Sequence, residues 1–131
     1  MEAEISKETL DSIEDLRSFV QKNGIVKDEV VNKLLAIRPH FIEENEPLVT
    51  RILRMTAEYI EHFGYFNINL LAEEDEEGEK EEEIDPDGED SFSEMKDNFL
   101  YLLDLISHPD NKVNKEELQA LKQIYLDRDL F

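Results

Sequence analysis

Carboxylates are the residues of this chain that could do chemistry, and most of them stand in one place. Residues 73–90 read EEDEEGEKEEEIDPDGED, in which thirteen of eighteen positions are Asp or Glu and Lys80 is the single base. The run therefore holds twelve of the twenty net negative charges. Two carboxylates act as acid, base or nucleophile only when they are held at a set separation. A low-complexity run that contains Gly78, Pro86 and Gly88 holds no pair in that way. A block of like charge with no apolar periodicity buries no core and stays solvated, which predicts a flexible loop over 73–90. Such a loop attracts a Lys/Arg-rich protein as a polyanion. The residues predicted to meet that partner are Glu73, Glu74, Asp75, Glu76, Glu77, Glu79, Glu81, Glu82 and Glu83.

Divalent cations are the alternative ligand. The stretch Asp85-Pro86-Asp87-Gly88-Glu89-Asp90 resembles the start of an EF-hand calcium loop, with oxygens at the first, third and fifth positions. In that register Asp90 stands where glycine belongs and Lys96 where the bidentate carboxylate belongs. Asp110 to Leu118 resembles the second half of the same loop, with Val113 at the apolar position and Glu117 at the bidentate one. There Ile106 and His108 replace two oxygen ligands, so a helix–turn–helix hairpin with Asn114 as N-cap explains the stretch more simply. The ligand set of this alternative is Asp85, Asp87, Glu89, Asp110 and Glu117.

Other constellations are thinner. Glu58 and His62 share a helix face, but bundle di-metal sites need a Glu-x-x-His pair on each of two helices. His62 suits a helix C-terminus, His40 follows Pro39 in an expected turn, and His108 adjoins Pro109. No phosphate loop, nucleophile elbow or metalloprotease motif is present, so the expectation is a protein that is not an enzyme and has no cofactor.

Five helices must carry these residues. The first is predicted over about 6–23, capped by Ser6 and ended by Gly24, with Leu10, Ile13, Leu16 and Val20 on one face. The second is expected over 28–38, ending before Pro39 because proline disfavours the α region for its predecessor. The third, 46–63, begins at Pro47, carries the broadest apolar face and should be central. Ser91-Phe92-Ser93-Glu94 has the form of a capping box and opens the fourth, 92–107, with Phe92, Met95, Phe99, Leu102 and Ile106 on one face. The fifth is placed over 115–126. Tyr65 to Leu71 alternates, with Phe66, Ile68 and Leu70 on one side and Asn67 and Asn69 on the other. With no second convincing strand, it is read as an extended connector pinned on the helices, or else as an edge that pairs with another chain.

These pieces predict one all-α domain over 1–131, a small five-helix bundle with the acidic loop between helices 3 and 4. The chain has no cysteine, which excludes disulfides and thiolate chemistry. Its longest apolar stretch is too short to span a bilayer, and its N-terminus lacks the pattern of a signal peptide, so the expected compartment is the cytoplasm. At a net charge of −20, nucleic acid and anionic membrane are disfavoured as partners. The functional expectation is a non-enzymatic interaction or regulatory protein whose acidic loop and helical surface meet a protein partner, for which a basic surface is the natural counterpart. The alternative is a calcium-binding module with degenerate EF-hand-like loops, and a homo-oligomeric structural protein stays open.

Overall fold

In the computed structural model, which describes residues 5–72 and 83–128, the chain is all-α. Five helices follow in order: α1 (Lys7–Asn23), α2 (Lys27–Glu43), α3 (Pro47–Phe63), α4 (Ser91–Ser107) and α5 (Lys112–Leu126). Ser6 caps α1 as predicted, accepting from the Thr9 amide at 3.2 Å. Thr9, Ile13, Leu16 and Val20 form its buried stripe, while Leu10 lies beside the stripe and is exposed. α3 has the most buried positions, from Val49 to Ile60, in keeping with a central helix.

Each helix packs chiefly on two others, in the ring α1–α2–α3–α5–α4 and back to α1. The turns at 24–26 and 44–46 are short, so α1, α2 and α3 follow as neighbours. The connection from α3 to α4 is long, which lets α4 close the ring between α1 and α5. Leu16, Leu34, Phe41, Ile52, Phe99 and Leu121 meet in the shared core, all fully buried. Ion pairs tie the rim: Lys33 of α2 reaches Asp15 of α1 at 2.9 Å, and Arg17 of α1 holds Asp104 of α4.

Three expectations need correcting. α2 does not end at Arg38; it runs through Pro39 to Glu43, so His40 is helical. Pro39 has no N–H for the Leu35 carbonyl. It is exposed, so water can solvate that carbonyl, and continuing the helix buries Phe41 completely. α5 starts earlier than expected because Asn111, not Asn114, is its cap and accepts from the Asn114 amide at 3.1 Å. The capping box at Ser91 does not form. Asp90 precedes the helix without a side-chain cap, and the buried Ser91 hydroxyl donates to the Pro86 carbonyl at 2.8 Å. Phe92 is accordingly turned outward and exposed.

The connection itself is built on the core. Phe66 and Ile68 are fully buried, and Phe66 meets Phe99 edge-on with ring centroids 5.6 Å apart. Ile68 pairs with Glu83 in an isolated antiparallel bridge, and the Ile84 amide donates to the Asn67 carbonyl at 2.7 Å. The partner of the alternating segment is therefore the end of the acidic run. Ile84 is buried and residues 85–90 turn into α4, so the last third of the run is folded onto the bundle rather than loose. Glu73 to Glu82 lie outside the described residues.

The α1–α2 turn depends on Gly24. Its φ of +76° and ψ of −164° fall in a region that essentially only glycine adopts. A Cβ there would also stand 2.4 Å from Cζ of Phe92, which lies over the turn. The exposed ring can swing aside, whereas the backbone angle has no relief. Gly24→Ala should lower unfolding stability by about 1–3 kcal/mol in urea titrations. The loss should largely persist in a Phe92→Ala background; full recovery there would assign the cost to the ring.

Candidate functional site

At one end of the ring the acidic run returns to the bundle over a buried polar cluster. Tyr59 of α3 donates to Asn67 Oδ1 at 2.5 Å, and Thr56 and Tyr125 share a hydrogen bond of 2.8 Å. The Tyr59 and Tyr125 rings lie 5.4 Å apart. Asn67, expected to face outward, is buried, because its amide completes the Tyr59 hydroxyl. Leu71 is held by its amide, which donates to Asn98 Oδ1 of α4 at 2.8 Å. Glu83 forms an ion pair with Arg128 just beyond α5. Burial lifts the Tyr59 phenol to about 12, against the pull of nearby Arg128. Burial also raises Tyr125 well above the usual phenol range, while the bond to Thr56 acts the other way.

Of the predicted partner-contacting residues, Glu83 is described; it is exposed and clamped to Arg128. Glu73 to Glu82, the other predicted contact residues, lie outside the described residues, which resume at Glu83.

The calcium ligand set is not gathered in one site. Asp85, Asp87 and Glu89 precede α4, while Asp110 follows it, and a helix of 17 residues is about 25 Å long. Asp85 Oδ1 accepts from the Asp87 amide at 3.0 Å, an ordinary turn of the chain. At the other end, Asn114 Nδ2 donates to the His108 carbonyl at 3.2 Å and fills the turn. Glu117 faces α4, where both its oxygens accept from the Tyr101 hydroxyl at 2.6 and 2.7 Å. Burial first, then that bond to Glu117, pushes the Tyr101 phenol up to about 12. Among the described residues, no three His, Asp or Glu side chains cluster as metal ligands do. Glu58 is engaged by Arg54 at 3.1 Å, and His62 lies edge-on to Phe63.

The outer face of the α2–α3 pair was not singled out by the sequence reading. Two adjoining clefts of about 290 and 700 Å³ open along it and share Arg54. The smaller, by the α2–α3 turn, is walled by Arg38, Arg51 and Arg54 around Ile42. The larger runs over Leu35 and Ala57 towards Glu61 and His62. The available signal was the i, i+3 spacing of Arg51 and Arg54 in a chain poor in bases.

Comparison with known protein families, curated proteins and solved structures gives no match for this chain. Among the described residues, no helix is long and apolar enough to cross a membrane.

The buried phenols make stability depend on alkaline pH. Their folded-state pKa values lie above the ordinary 10.0, so the stability they contribute is complete below about 10 and is lost as pH climbs towards 12. Urea midpoints should fall across that window, with Tyr59 and Tyr125 adding their share of tyrosinate absorbance only as the chain unfolds. Tyr59→Phe should flatten part of the fall, yet cost about 1–3 kcal/mol at neutral pH by leaving Asn67 Oδ1 buried and unpaired. A pH-independent midpoint would refute the assignment.

Proposed function

We propose that this chain is a non-enzymatic, cytoplasmic interaction protein that presents residues 73–90 to a basic protein partner. The observation behind this reading is the concentration of charge: twelve of twenty net negative charges lie in eighteen residues. The clamped end of the run adds to it. The buried Ile84 and the Glu83–Arg128 pair anchor the C-terminal end of the acidic segment. A Lys/Arg-rich tail or patch is the complementary surface. Tyr59, Tyr101 and Tyr125 are engaged by Asn67, Glu117 and Thr56, and Glu58 pairs with Arg54.

The test should spare the anchor. Replacing the acids from Glu73 to Glu82 by Gln and Asn, with Glu83 and Ile84 kept, should leave the fold intact. Binding of a labelled lysine-rich peptide should then weaken at least about tenfold and lose most of its salt dependence. Equal, salt-insensitive binding by both proteins would refute the electrostatic reading.

A further inference from the structure

The α2–α3 face carries a second surface of opposite character. The chain has 34 acids against 14 lysines and arginines, so a basic group has many carboxylates available to it. Arg17 and Arg128 are each paired across elements, and Arg54 is paired along α3 with Glu58. Arg38 and Arg51 have no carboxylate partner among the described residues. Arg38 instead donates through Nε to the Thr50 carbonyl at 3.2 Å, which fixes its guanidinium beside the cleft, and Arg51 is exposed. Three of the five arginines thus converge on one cleft, where Glu46, the residue before α3, is the acid among the lining residues.

The same groove has an apolar floor. Leu35 and Ile42 are 44% and 55% exposed and lie seven residues apart, two turns along α2. Val31 and Ala57 continue the floor towards the far end. From Val31 to Ile42 the groove is about 16 Å long, three turns of helix. Val31, Leu35 and Ile42 stand at i, i+4 and i+11 on α2, so apolar contacts recur along the length a docked helix would cover. An extended peptide finds no strand edge here, because the backbone of both walls is helical. The charges also run along the groove, from Arg38, Arg51 and Arg54 with the half-buried Glu46 at one end to Glu61 and His62 at the other.

We propose that the α2–α3 groove docks an amphipathic helix of a partner protein, its apolar side on Leu35 and Ile42 and its acidic end against Arg38, Arg51 and Arg54. Charge complementarity selects this occupant. A second copy of this chain is a poor one, because all five helices already turn apolar stripes into the common core. The surface is separate from the acidic run, so the two bind partners of opposite sign.

A designed three-turn helix with leucine anchors and glutamates at one end serves as the probe, labelled for anisotropy with the full chain. Its counterpart carries lysines in place of the glutamates. Despite a protein net charge of −20, the acidic probe should bind at least about tenfold tighter. Arg51→Glu and Leu35→Gln, both at exposed positions, should each weaken it about tenfold with unchanged circular dichroism. Neither change touches residues 73–90, so lysine-peptide binding should stay as it was, and this outcome is separable from failure of the acidic-run reading. Equal or tighter binding of the lysine probe overturns the proposal, as does affinity that neither substitution alters. Sensitivity to Arg51→Glu alone, matched by competition from inorganic phosphate, would reduce the groove to a small-anion site and overturn it too. So would a concentration-dependent dimer that Leu35→Gln dissolves, which would make the face a self-interface.

Discussion

The pairing of the segment around Ile68 with the end of the acidic run is the contact on which the rest of the arrangement depends. Consecutive helices joined by short turns pack beside each other, so α1, α2 and α3 leave the core open on one side. Closing it requires α4 to reach a position between α1 and α5, and only a long connection can deliver it. Loop length costs little in closure entropy, but a connection of like charges brings no burial of its own. Phe66, Ile68 and Ile84 supply that burial on either side of the charged stretch. The acidic run can therefore be long without loosening the bundle.

The polar contacts at that end give the pairing its specificity. Apolar side chains alone would tolerate several placements of the connector. A buried Tyr59 hydroxyl needs a partner, and Asn67 meets it in one register only. Asn98 does the same for the Leu71 amide while its own Nδ2 donates to the Glu94 carbonyl at 2.8 Å. The Glu83–Arg128 pair is partly exposed and adds little stability by itself. Its place beside the Tyr59 phenol makes it a surface marker of the same register.

Charge is distributed unevenly over this frame. Acids dominate where α3 and α4 are joined, whereas three arginines gather at the α2–α3 turn, where α3 begins. The arginines gather at the start of α3, whereas the connection to α4 follows its other end, 17 residues and about 25 Å along the helix. A strongly acidic protein can in this way keep a basic site.

Apolar periodicity and punctuation were enough, from the sequence alone, to place five helices, the Ser6 cap and the breadth of α3, since these follow from local spacing and side-chain chemistry. The acidic run and the absence of thiol chemistry are composition and need no fold. Three matters were settled only by tertiary contacts. Pro39 is a local stop signal, but full burial of Phe41 two residues on outweighs the lost hydrogen bond, and α2 continues. Asn67 reads as an outward residue by alternation, yet the Tyr59 hydroxyl on another element makes burying it favourable. The groove joins Arg38 of α2 to Arg51 and Arg54 of α3, and no periodicity within one helix reports which side chains of two helices share a cleft. Local sequence determines which faces exist; how the faces meet depends on the packing of the whole ring, because burial is decided by all five helices at once.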